Sequence, residues 1–208
     1  MGGIFMAKMF KRLVICAVSM GILWCFGLLS DRQKLSTELI RFHVVAESDS
    51  PEDQALKLKV RDAVLMSIRE DLAEISDIDT AKDYLADNIP KIQKIVAATL
   101  KENGCLEKAA VSFCRERFPV RHYDTFSLPA GVYDSLRIII GEGKGKNWWC
   151  VTFPTLCMPA TAAEFETAAV GAGFSQSLAK TLSGQGSYKI RFYFLDRLGE
   201  LENIFWGD

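Results

Sequence analysis

Histidine is nearly absent from this chain of 208 residues: His43 and His122 are the only two. A cysteine nucleophile, Cys150 or Cys157, therefore has just those two bases to draw on, and no third orienting group stands out beside either. The six cysteines (16, 25, 105, 114, 150 and 157) include no C-x-x-C pair, and their gaps are far from those of structural zinc modules. Strong net charge is also missing. At −1, with a pI near 6.2, the chain has no global field to draw it onto nucleic acid or an anionic membrane. The glycine cluster GEGKGKN, residues 141–147, lacks the phosphate-loop spacing, because Asn147 follows Lys146 where serine or threonine is needed. The G-x-G-x-x-G fingerprint fails as well, with Lys146 at its third glycine. No enzyme activity, cofactor or metal is expected.

What is present is enough apolar matter for one globular domain with a core: 49% hydrophobic and 25% charged residues. Lys8, Lys11 and Arg12 precede an uncharged run, LVICAVSMGILWCFGLL at residues 13–29, closed by Asp31 and Arg32. As a helix this run spans roughly 25 Å, within the lower range of membrane-crossing segments. Basic residues on its N-terminal side would keep that end in the cytoplasm and send the remainder of the chain across the membrane. Residues 1–30 are accordingly a signal peptide or a membrane anchor; Cys25-Phe26-Gly27 is the nearest cleavage sequence and lies inside the run. Residues 31–38 are expected as a linker and 39–208 as one extracytoplasmic domain. Outside the cytoplasm, Cys150 with Cys157, and secondarily Cys105 with Cys114, are candidate disulfide pairs; buried reduced thiols are the alternative.

Residues 39–46 (LIRFHVVA) read as a strand with Ile40, Phe42 and Val44 on one face and His43 on the other. Ser50 can cap a helix with Pro51 at its first position, and Leu56, Val60, Val64, Ile68 and Leu72 form its apolar stripe. A second helix is predicted over residues 80–103, ending at Gly104, with Pro90 kinking or splitting it. Residues 108–116 alternate as a strand. The runs 136–140 and 148–153, joined by the glycine cluster, read as a hairpin. In the second run Trp148 and Trp149 must face opposite sides: either one of them is exposed or lodged in a secondary cluster, or both are buried. Helices are predicted within residues 161–172 and 175–182, and a final strand over 188–195. The fold class is α+β: two N-terminal helices packed on a mainly antiparallel sheet, preceded by a transmembrane or signal helix.

Three stretches together carry a family resemblance: AESDSPEDQ at residues 46–54, PAGVY at 129–133, and GEGKGKNWWCVTFPTLC at 141–157. The chain resembles the stage II sporulation protein R family from about residue 39 to 158. The resemblance implies a forespore product exported into the space between the two septal membranes. There it would activate a membrane-embedded aspartic protease of the mother cell, which processes the precursor of sporulation sigma factor E. Arg121, Tyr123, Tyr133, Asn147, Trp148 and Trp149 are the candidate partner-contact residues. The alternative reading is an extracytoplasmic peptidoglycan-binding module.

Overall fold

The computed structural model describes residues 2–154, 162–171, 173–184 and 192–193. The chain opens with helix α1 (Gly2–Glu38), of which Lys8–Glu38 is long and apolar enough to cross a membrane by length and composition. Leu23 and Phe26, each 72% exposed, show how little protein covers its middle. The helix does not stop where the apolar run does. Residues 31–38, expected as a linker, continue it, because they contain neither glycine nor proline. Leu28 and Leu35, seven residues apart and so on one face, are buried in the domain. Arg32 Nε donates to the Ala130 carbonyl at 3.1 Å, and Lys34 Nζ to that of Gly173 at 2.8 Å.

Strand β1 (Ile40–Val45) follows, then α2 (Pro51–Glu74). The Ser50 hydroxyl accepts the Asp53 N–H at 3.1 Å, making the expected cap. Val60, Val64, Ile68 and Leu72 of the predicted stripe are buried. The further helix is split at Pro90, the second of the two outcomes expected, into α3 (Ile78–Asp87) and α4 (Ile89–Glu102). Pro90 has no N–H to continue a helix, so it sits in the first turn of α4. Gly104 ends α4 with φ +73°, its N–H on Lys101 O and that of Cys105 on Leu100 O. The sheet-forming half comprises β2 (Ala109–Phe118), β3 (Arg121–His122), β4 (Ser127–Leu128), β5 (Gly131–Ile140) and β6 (Asn147–Phe153). Helices α5 (Ala162–Gly171) and α6 (Gln176–Ser183) follow.

The main sheet has the order β2-β5-β1-β6, while β3 and β4 form a separate pair. β1 runs parallel to β5 and antiparallel to β6, and β2 is antiparallel to β5. The α+β class therefore holds with a mixed, mostly antiparallel sheet. The hairpin expectation does not: β1 lies between β5 and β6. All six β1 residues are buried, as a strand covered on both faces and paired on both edges must be. The glycine segment 141–146 instead crosses over the C-terminal end of β1.

Both faces of the sheet carry core, so neither tryptophan lacks one. On the helical face, Ile40, Phe42, Val44, Leu136 and Ile138 pack against the stripes of α2, α3 and α4. On the other, Phe118, Tyr133 and Val151 pack with Leu28 and Leu35 of α1 and with Phe165 and Leu178 of α5 and α6. A register shift opposite Ile40 and Arg41 breaks the alternation of β6, so Phe153 joins the same core cluster as Cys150. Of the predicted final strand only Phe192 and Tyr193 are described, and they are helical; the rest of residues 188–195, like Cys157, lies outside the described residues.

Candidate functional site

The site begins with what β1 places on the non-helical face. Arg41 is fully buried. Its Nε donates to the Cys150 carbonyl at 3.1 Å and one terminal nitrogen to the Tyr123 hydroxyl at 2.8 Å. The guanidinium carbon lies 4.3 Å from the centre of the Phe118 ring and 5.1 Å from that of Tyr133, a favourable place for a desolvated cation. Two residues on, His43 stacks on Trp149, with centroids 3.7 Å apart and planes 15° from parallel. Its Nδ1 lies 3.1 Å from Glu116 Oε2, where the imidazole must be the donor to a carboxylate. Arg137 comes within 3.7 Å of the same oxygen. Burial acts to raise the Glu116 carboxyl, but the His43 hydrogen bond and the charges of His43 and Arg137 outweigh it and hold it below its usual range.

Arg121 completes the group, its guanidinium carbon 5.1 Å from the Trp149 ring centre. Burial pulls this guanidinium down and the nearby Arg41 charge adds to that, with Tyr123 opposing. Three of the six predicted contact residues, Arg121, Tyr123 and Trp149, thus meet on one face. Tyr133 lies under them as a core residue, fully buried, with its hydroxyl donating to Pro129 O at 2.8 Å. Asn147 and Trp148 are elsewhere. Asn147 is exposed at the start of β6, and Trp148 sits on the helical face, edge-on to Phe42 at 5.8 Å and under the Arg61 guanidinium at 4.9 Å. Sequence reasoning missed Arg41, His43, Glu116 and Phe118. The available signal was a charge inside LIRFHVVA: an arginine in a strand otherwise apolar on both faces is costly unless something holds it.

The two most distinctive sequence stretches, AESDSPEDQ and GEGKGKN, lock together beside this site. The Gly145 N–H donates to Ala46 O at 2.9 Å and that of Lys144 to Glu47 O at 3.1 Å. The Lys146 N–H reaches Asp49 Oδ1 at 2.7 Å, and that of Glu142 the Glu47 carboxylate. Lys57, nearly buried, donates to Lys146 O at 2.8 Å and to Gln54 at 2.6 Å; burial lowers its ammonium below the usual lysine range. A Cβ on Gly145 would collide with the Ser48 backbone carbonyl. This loop is a clasp over the end of β1, and its glycines are there for close approach.

The thiol expectations resolve unevenly. Cys105 and Cys114 are free, so the secondary pair is not formed: one closes α4 and the other lies midway along β2. Cys150 is buried in the helical-face core, on the opposite side of the sheet from His43, so those two do not form a nucleophile–base pair. His122 Nδ1 lies 2.9 Å from the Ser127 hydroxyl. Among the described residues no group of three or more His, Cys, Asp or Glu side chains is placed to hold a metal. The chemistry this arrangement offers is recognition by cations held on aromatic rings.

Fold and site together define an α+β domain with a cationic aromatic cluster behind an N-terminal apolar helix. A family model described as Stage II sporulation protein R matches residues 36–163. The chain belongs to that family, a family of sporulation proteins. Stage II sporulation protein R of Bacillus subtilis (strain 168) is 38% identical over 120 residues, 58% of this chain and 54% of that protein. The chain thus spans about half the length of the curated relative it matches. No solved structure matches it.

Proposed function

We propose that this chain is an exported sporulation signal that activates a membrane-embedded aspartic protease of the mother cell, leading to processing of the precursor of sporulation sigma factor E. Family membership supports the sporulation role. One structural observation carries the rest. The face bearing Arg121, Tyr123 and Trp149 is the face on which Leu28 and Leu35, at the end of the apolar helix, are docked. A helix able to enter a membrane is thereby packed against the proposed recognition face, the arrangement suited to a partner that is itself in a membrane. In this reading the chain is a ligand displayed in the space between the forespore and mother-cell membranes, and the catalysis is the partner's.

Trp149→Ala in sporulating cells tests this, with Trp148→Ala on the helical face as comparison and with secreted protein and precursor cleavage both measured. Trp149→Ala is expected to reduce cleavage at least about tenfold at unchanged protein level, as removal of an aromatic anchor does. Normal cleavage in that variant would contradict the assignment.

A further inference from the structure

Arg41 and Arg121 share a feature that a folding role does not explain: both are cations without an anion. Among the described residues no carboxylate lies within ion-pair distance of either, although Arg41 is fully buried. One terminal nitrogen of Arg41, the Nε of Arg121 and the Nε2 of His43 are all buried without a hydrogen-bond partner. Unpaired buried polar atoms are rare in native proteins and each is costly; with His43 Nδ1 donating to Glu116, the two here that must be donors are those of Arg41 and Arg121. Here all three surround the same Phe118–Trp149 ring pair, which meets edge to face at 4.7 Å. The rings solvate the cations from the side and leave their hydrogen-bonding edges unsatisfied. Glu116, the acid at this site, engages His43 and Arg137 through Oε2 and lies within ion-pair distance of neither Arg41 nor Arg121; its Oε1 is buried without a hydrogen-bond partner.

We propose that this is a carboxylate-recognition site, which takes an acidic side chain from an extended peptide segment of the partner. Half-buried Arg121 is the point of access, and its guanidinium takes the carboxylate while Trp149 receives the apolar residue beside it, with the fully buried Arg41 adding positive charge from beneath. Arg forks match a carboxylate in two parallel hydrogen bonds. The aromatic surround favours a peptide over a free inorganic anion, because a phosphate would gain nothing from the ring faces. This rests on the reading of the chain as a protein ligand.

The test is a titration of the full chain in detergent micelles, following the Arg121 Nε–H and Trp149 indole N–H resonances. The probes are an end-blocked hexapeptide with one glutamate among alanine and leucine, its glutamine counterpart, and inorganic phosphate. A saturable shift with the glutamate peptide is expected, weaker by at least about tenfold with glutamine, and lost in Arg121→Gln. No shift at millimolar peptide, an equal response to the glutamine peptide, or tighter binding of phosphate would each overturn the proposal. The glutamate-to-glutamine comparison on the unaltered chain stands even if Arg121→Gln folds poorly. Peptide binding with precursor cleavage indifferent to Arg121 would count against the signalling role and not the site; lost cleavage without peptide binding would do the reverse.

Discussion

At the scale of single residues, the chain concentrates its unusual chemistry in one side-chain cluster. Arg41 shows why: a buried guanidinium costs several kcal/mol in desolvation, offset here by two hydrogen bonds and by the Phe118 and Tyr133 rings. Glu116 gives the cluster a pH dependence. Its carboxyl is held below the ordinary 4.5, so the folded state binds the proton less readily than the unfolded chain does. The stabilisation is complete above 4.5 and is lost as pH falls through the depressed folded value. Glu116→Gln should therefore flatten the acid limb of a stability-against-pH curve below the ordinary carboxylate value. A curve of unchanged slope there would show that the carboxylate is not paired as described. Of this cluster the sequence disclosed Tyr123, Tyr133, Trp149 and Arg121, but not Phe118. It hid Arg41, His43 and Glu116, because each sits on a strand whose neighbours are set by sheet order and not by its own alternation.

At the scale of elements, local signals served the helices well and the strand order poorly. The Ser50 cap, the break at Pro90 and the stop at Gly104 each act within one turn, so the chain itself displays them. Strand adjacency is different: two strands around a glycine loop look like a hairpin whether or not a third strand, β1, lies between them. Residues 31–38 misled in the opposite direction. Their polarity suggested a linker, yet Leu28 and Leu35 anchor that turn of α1 in the core. The clasp over β1 yields its own prediction. Gly145→Ala would press a methyl into the Ser48 carbonyl and should cost about 2–3 kcal/mol by denaturant unfolding, whereas Lys144→Ala, an exposed side chain, should leave the midpoint in place. Equal midpoints for the two variants would show that the loop does not close on β1 in this way. The clasp also explains why the AESDSPEDQ and GEGKGKN stretches occur together: they are two halves of one hydrogen-bonded unit, and these glycines answer to folding before recognition.

At the scale of the whole molecule, an apolar helix, a two-sided core and a cationic aromatic face are joined in one piece through Leu28 and Leu35. The sequence made the first of these plain, the second partly so, and the third only through Arg121, Tyr123 and Trp149. In the proposed role this assembly acts across a membrane as an activating ligand. That role is tested most directly by coexpressing the full chain with the membrane protease and the sigma-factor precursor in a non-sporulating bacterium, beside a version lacking residues 13–29. The expected result is precursor cleavage with the full chain and none with the shortened one; cleavage that is equal in both, or absent with the full chain, would contradict the role.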